Sequence, residues 1–500
     1  MNQINKEIAK GAVWMVSFKF VDRGIGLAST VVLARLLAPS DFGLVAIAMM
    51  LIAALQLLVA FSFDVHLIQN PNAGRDQFDT AWTFTLLFSL MCALVLAALA
   101  YPVSLFYREP RLEFVIYTLA FGYLAQGFSN IGPVIFRREM RFDRDFAFML
   151  GKRLAPIMVT IPIAWWQRSY WALVIGQLTG TLASVWLSYY ISDYRPRFTL
   201  KARAELFHSS KWLVLNNMFA FLNGRAAEFV VGKFAGVGGL GVYTISSEIS
   251  LLPTTELVAP INRAAFPGYA RLANDIDQLR NSFLGVISMI ALFALPAGIG
   301  IVVVADLLVP AALGWKWLAA IPLIQVLAVY GIIVALQTNI GYVYLAVGRP
   351  FRITMITGVQ FLVLVCLLLP STWYWGAQGA AWAFLGTALI MAPVNQALVV
   401  QQLKLSTVEY CTRLWRPFVA AAIMAAAVLV FKMNLNLPAA SSAYILALLA
   451  AALLGALVYA ATLYLLWIWS SRPSGAERYC LERFEGIMRK FGIGINLIGN

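Results

Sequence analysis

Val32-Leu33-Ala34-Arg35-Leu36-Leu37-Ala38-Pro39-Ser40-Asp41-Phe42-Gly43-Leu44-Val45 returns later in the chain without a gap. The echo runs from Val230-Val231-Gly232-Lys233-Phe234 through Leu240-Gly241-Val242-Tyr243. A second echo, at nearly the same offset, links Ser129-Asn130-Ile131-Gly132 to Thr338-Asn339-Ile340-Gly341. Both lie between long apolar runs, so the chain reads as one set of hydrophobic segments laid down twice.

Hydrophobic residues make up 61% of the chain and charged residues 12%, against about 25% charged in soluble domains. Mean hydropathy is +0.79. Apolar runs of about 20 residues, each enough to cross a bilayer, recur throughout. The expected fold is all-α and polytopic, with about fourteen transmembrane helices. Candidate spans fall near 11–37, 43–66, 80–106, 113–135, 146–166 and 169–192. A second set falls near 211–234, 240–264, 282–308, 317–345, 352–370 and 376–400, and a last pair near 414–431 and 441–470. The expected organisation is a six-helix bundle over 1–193, a linker over 194–210 and a second six-helix bundle over 211–402. Two additional helices over 403–471 and an amphipathic tail over 472–500 complete it. An even number of spans per repeat relates the halves by an axis along the membrane normal, an arrangement used by transporters.

The formal charge of +14 raises nucleic acid as a partner, but the basic residues sit in short turns, as expected from the positive-inside rule. Arg137, Arg138, Arg141 and Arg144, then Arg195, Arg197, Lys201 and Arg203, then Arg349 and Arg352 mark one side. The opposite turns hold chiefly Arg108, Arg111, Arg168, Lys316 and Lys432. Both termini are therefore expected on the cytoplasmic face. Cys92, Cys366, Cys411 and Cys480 show no CxxC pairing, which argues against a disulfide framework or zinc site. The N-terminus lacks a short apolar stretch ending in a small-residue cleavage site, so the first span is expected to stay as an anchor.

Gly236-x-Gly238-x-x-Gly241 matches the letters of a dinucleotide fingerprint without its βαβ setting, and reads as a tight turn. No Walker A sequence is present, and His66 and His208 form neither a triad nor a metal cluster. Ser192 to Ser210 reads as a tether. In the tail, Leu481, Phe484, Met488 and Phe491 share one helical face against Arg478, Arg483, Arg489 and Lys490, the pattern of an interfacial helix on anionic lipid.

Charges inside spans cost roughly 2.5–3.5 kcal/mol or more at mid-bilayer, so they face a cavity or a partner. The first span holds Lys19, Asp22 and Arg23, with the two cations four apart on one face. The seventh holds Arg225 and Glu228, and the eighth Glu248 and Glu256, eight apart on one face of a regular helix. Lys152 and Arg153 open the fifth span and Arg263 closes the eighth. Together these line a basic cavity suited to a phosphate or pyrophosphate, which a guanidinium binds bidentately. The competing reading is structural ion pairing, Asp22 with Lys19 and Arg225 with Glu228. Trp14, Phe18, Phe20 and Trp212 are candidates for stacking on sugars, although such spacing is commoner in packing.

Lys10-Gly11-Ala12-Val13-Trp14, the Leu33 to Ala46 stretch, Arg137-Arg138-Glu139-Met140-Arg141-Phe142 and Tyr170-Trp171-Ala172-Leu173-Val174 carry a resemblance over essentially the whole chain. It resembles the polysaccharide transporter (Wzx and WzxC-like) branch of the multidrug/oligosaccharidyl-lipid/polysaccharide exporter superfamily. The resemblance implies a bacterial inner-membrane flippase for undecaprenyl-pyrophosphate-linked oligosaccharide, working by alternating access through a basic central cavity. Arg23 and Arg225 match that expectation by position. It implies no cofactor, with proton or sodium coupling for which Asp22, Glu228, Glu248 and Glu256 are the candidates. The implied partners are the lipid-linked oligosaccharide, membrane lipids, a polysaccharide polymerase and a chain-length regulator. A small-cation or drug antiporter and a peptidoglycan-precursor flippase are the alternatives. A membrane glycosyltransferase or ligase is disfavoured by short external turns such as Phe106 to Leu112.

Overall fold

A computed structural model describes residues 3–58, 67, 74–139, 141–201, 211–435, 437–438, 441–473 and 475–490. The described residues are helical, with no strand among them. Contacts divide the chain into Met1–Gly241 and Val242–Asn500. The division falls inside a helix because the segment before it packs against the first unit.

The first unit contains α1 (Gln3–Leu36), α2 (Pro39–Leu58), α3 (Arg75–Tyr107), α4 (Arg111–Gly127), the short α5 (Val134–Arg138), α6 (Phe142–Gln167), α7 (Trp171–Ile191) and α8 (Lys211–Phe234), and it ends within α9 (Gly236–Ser250). Helix α3 packs on α4, α6 on α7 and α1, α4 on α7, and α8 on α2. Small residues allow the closest crossing: a Cβ on Gly176 of α7 would collide with the Thr160 hydroxyl of α6, and one on Gly180 would press on the Pro156 ring. Such small-residue contacts replace the hydrophobic drive that lipid cannot supply between helices.

The opening sequence echo acquires a physical meaning here. Gly43 in α2 and Gly241 in α9 hold equivalent places in the two repeats, and the structure brings them together. A Cβ on Gly43 would strike the Val237 carbonyl, and one on Gly241 would strike the Pro39 carbonyl. Each glycine leaves room for the other segment's backbone. Gly236, with φ +70°, makes the α8–α9 turn where the fingerprint letters occur; that backbone region favours glycine.

The second unit continues α9 through a π-helical turn (Pro253–Val258) into α10 (Ala259–Arg271), followed by α11 (Ile276–Leu308), α12 (Ala320–Ala346), α13 (Pro350–Leu403), α14 (Thr407–Met433), α15 (Ser441–Trp469) and α16 (Ala476–Lys490). Hydroxyls tie α9 to α12: Ser250 donates to the Ile324 carbonyl at 3.1 Å and Thr254 to the Gly331 carbonyl at 3.0 Å. Helix α13 is two spans joined at Gly376, whose φ of 58° and ψ of −136° break the helix. Tyr269, Phe283, Ile287, Tyr344 and Val399 lie in one buried apolar cluster.

Each expected span overlaps a helix among the described residues; residues 59–66 of the second span lie outside them, and the helix of the fourth ends at Gly127. Among the described residues, nine helices are long and apolar enough to cross a membrane, with the two halves of α13 counted together. Helices α4 and α9, of 17 and 15 residues, fall short of that length. The more polar α1 and α8 open the two repeats and carry the charges singled out above.

One expectation changes. The π-helical turn Pro253–Val258 begins after Glu248 and contains Glu256, and it interrupts the regular helix on which their shared face depended. Helix α16 buries Glu477 and Glu485, 5% and 6% exposed; of the expected apolar stripe, the side chains of Phe484 and Met488 lie outside the described set. Phe491 lies outside the described residues, as do His66 and His208 and the linker from 202 to 210.

Candidate functional site

Helices α2, α4, α7 and α8 enclose a cavity of about 260 Å³ in the first unit. Its polar wall comes from Gln56, Tyr123, Gln126, Gln177, Thr181 and Arg225. Three glutamines in otherwise apolar helices offer donors and acceptors, while Arg225 supplies the charge. Its guanidinium pairs with Glu228, one helical turn on, and the two side chains differ in exposure at 46% and 12%. The arginine therefore retains an open edge while Glu228 is held against the helices.

Asp22 does not take Lys19 as its partner. Its Oδ1 lies 2.8 Å from Nε of Arg153 on α6, an ion pair between two packed helices. Gly26, one turn beyond Asp22, leaves the space that the Arg153 guanidinium fills. Lys19 is exposed, Arg23 half-buried and Lys152 exposed. The structure thus joins Asp22 with Arg153 and places Arg225 in a polar cavity. In the second unit Glu248 is exposed, Glu256 half-buried, and Arg263 exposed with its Nε donating to the Ala259 carbonyl at 3.3 Å. The side chains of Trp14, Phe18, Phe20 and Trp212 lie outside the described set.

The uncharged wall is what charge-based reading overlooks. Gln56, Gln126 and Gln177 each interrupt an apolar run, and a search for any strong hydrogen-bonding group in a span, rather than for charge, would have found them.

The segment after α7 is also more than a tether. Tyr194 donates its hydroxyl to Asp79 Oδ1 at 2.7 Å, and the Arg197 backbone N–H donates to the same oxygen at 2.9 Å. Thr199 N–H donates to the Thr83 hydroxyl at 3.1 Å, and Phe198 sits edge-on to Trp82. Burial, then the hydrogen bond to Asp79 and its charge, push the Tyr194 phenol above its ordinary value, which keeps it a donor. Asn130 completes the strap, donating to the Tyr194 carbonyl at 2.6 Å. Its repeat counterpart Asn339 instead exchanges hydrogen bonds with Tyr269. The repeat conserves a buried amide position but not its partner.

The second unit holds a contrasting cavity of about 670 Å³ between α11, α14 and α15, with Pro296, Gly300, Met424, Ala451, Gly455 and Cys480 on its wall. Small residues on α15 create the space and leave it almost wholly apolar. Among the described residues no group of three or more His, Cys, Asp or Glu is placed to hold a metal ion.

The chain is similar to the lipopolysaccharide biosynthesis protein WzxC of Escherichia coli K12, 23% identical over 423 residues that span 83% of this chain and 85% of the relative. It is similar to the teichuronic acid biosynthesis protein TuaB of Bacillus subtilis 168, 23% identical over 428 residues, 85% of this chain and 89% of that protein. In fold it matches the lipid II flippase MurJ in an inward closed conformation, with a TM-score of 0.72 at 14% identity, covering 92% of this chain and 100% of the other. Residues 32–322 match the model of a family described as polysaccharide biosynthesis protein, and with more than half its length inside that match the chain belongs to that family.

Proposed function

We propose that this multi-pass membrane protein is a flippase of the bacterial inner membrane, with both termini cytoplasmic. It carries an undecaprenyl-pyrophosphate-linked oligosaccharide for exopolysaccharide, O-antigen or capsule synthesis by alternating access. The observation that carries this reading is Arg225, a half-exposed guanidinium on the wall of a glutamine-lined cavity within apolar helices, in a chain of the polysaccharide biosynthesis family. The cavity suits a pyrophosphate and its first sugar better than a whole oligosaccharide, being smaller than the 300–1,000 Å³ of ordinary ligand sites.

Arg225 exchanges partners in this mechanism. Without substrate, Glu228 neutralises the guanidinium; a pyrophosphate oxygen entering the cavity takes its open edge, and the glutamines bind the sugar hydroxyls. Arg23, Lys19, Lys152 and Arg153, in the same unit, extend the positive field met by the head group. The polyprenyl chain stays in the bilayer while the head group crosses. Proton or sodium coupling acts through Asp22, Glu228, Glu248 or Glu256; protonation of Glu228 would free Arg225 for the anion. No catalytic step is required, and a polymerase and chain-length regulator would receive the product.

The test is to reconstitute the full chain in liposomes with a pyrophosphate-linked oligosaccharide lipid on one leaflet, and to measure sugar exposure on the other with and without a proton or sodium gradient. Protein-dependent exposure is expected. Uptake of small cations with no sugar movement would favour the antiporter reading.

A further inference from the structure

The end of the second unit bearing the α14 N-terminus contains a cavity of about 390 Å³ separate from the two already described, lined by Asn281, Glu409, Thr412, Arg413, Trp415 and Arg416 among others. Arg416 is 4% exposed, an unusual burial for a guanidinium. Its Nη2 lies 3.3 Å from Glu477 Oε1 on α16, and both side chains are 5% exposed. That contact leaves much of the pair unsatisfied: Arg416 Nε and Nη1 and Glu477 Oε2 are buried without a hydrogen-bond partner. Buried polar groups left this way cost stability, so the two donors on Arg416, a wall residue of the cavity, point to an anionic ligand group there.

The depth is that of lipid head groups. Helix α14 has 27 residues, about 40 Å at 1.5 Å per residue, close to a bilayer with its head groups at roughly 40–45 Å. The cavity is built from its first three turns. Both signs also line the wall: Arg413 stands beside Arg416, while Glu409 faces the same space with one carboxylate oxygen taken by the Ser406 backbone N–H at 3.3 Å. A purely anionic ligand would meet Glu409 unscreened.

We propose that this cavity binds the phosphoethanolamine head group of a membrane lipid, the phosphate on Arg416 and Arg413 and the ammonium on the carboxylate of Glu409. The bound lipid completes the buried Arg416–Glu477 pair and so fixes α16 against α14. The site is independent of the transported substrate.

The full-length protein in neutral detergent, offered equal phosphatidylethanolamine, phosphatidylglycerol and phosphatidylcholine, is read by native mass spectrometry and thermal unfolding. Wild type is expected to retain one phosphatidylethanolamine with about tenfold preference over phosphatidylcholine, whose quaternary ammonium has no N–H to donate. Arg416→Gln and Arg413→Gln lose the retained lipid, while Glu409→Gln loses the preference over phosphatidylcholine and shifts binding towards phosphatidylglycerol. Arg413→Gln and Glu409→Gln lie on the cavity wall and keep the test decisive if Arg416→Gln does not fold. No preference in wild type, or undiminished lipid retention in Arg413→Gln, overturns the proposal. Stabilisation by soluble O-phosphoethanolamine but not by the lipid overturns the lipid as its source.

Discussion

The first unit's cavity is small, lined with glutamines and charged through Arg225; the second unit's is more than twice as large and almost entirely apolar. The two repeats echo in sequence, yet the cavities are chemically opposite. Duplication does not account for the difference: α14 and α15, which follow the second repeat and have no counterpart in the first, wall the apolar cavity together with α11.

The comparison breaks most sharply if charge is put where hydrocarbon belongs. Ala451, 1% exposed in the apolar cavity wall, changed to Asp should cost about 2.5–3.5 kcal/mol or more. The expected outcome is a large drop in thermal stability and loss of export; full stability would show that the cavity is wetter than its lining implies. Removing charge from the polar cavity should act differently. Arg225→Ala is expected to leave membrane insertion and melting nearly unchanged while cutting transport tenfold to a hundredfold, the worth of about 1.5–3 kcal/mol for a charge-assisted hydrogen bond. Initial rates in liposomes measure it, and Arg225→Lys should recover only part because it lacks the planar fork.

Neutral contacts sharpen the same contrast at lower amplitude. Gln126→Leu and Gln177→Leu should each slow transport about fivefold, near 1 kcal/mol per hydrogen bond, with stability preserved or raised. A control outside both cavities has the smallest effect. Glu109, in the turn between α3 and α4, is held below the ordinary carboxylate value mainly by the hydrogen bond from Arg111. A depressed carboxylate stabilises above its unfolded pKa of about 4.3 and loses that contribution as pH falls through the folded value. Arg111→Gln should therefore lower the melting temperature slightly at about pH 6 and converge with wild type near pH 3, within about 1 kcal/mol.

Much of the fold was legible because membrane spans announce themselves by length and apolarity, and repeats by alignment. The equivalence of Gly43 and Gly241 was readable; their mutual contact was not, since one-dimensional echoes do not say which copies touch. Arg225 stood out as an intramembrane charge, whereas the glutamines around it carried no charge to mark them. Lys19, three residues away on the same helix, is the partner that spacing offers Asp22 in the competing ion-pair reading, whereas helix packing supplies Arg153. The π-helical turn that takes in Glu256 had only Pro253 and Pro260 as outward signs. The buried Arg416–Glu477 pair joins helices that sequence spacing could not place together.

The central claim is tested most directly by photo-crosslinking from inside each cavity. A benzophenone amino acid replaces Gln177 in one full-length variant and Ala452 in another, each reconstituted with a pyrophosphate-linked oligosaccharide lipid labelled at the sugar or at the polyprenyl chain. The account predicts capture of the sugar end from position 177 and none from position 452. Capture of the sugar end from position 452, or from neither position, would contradict it.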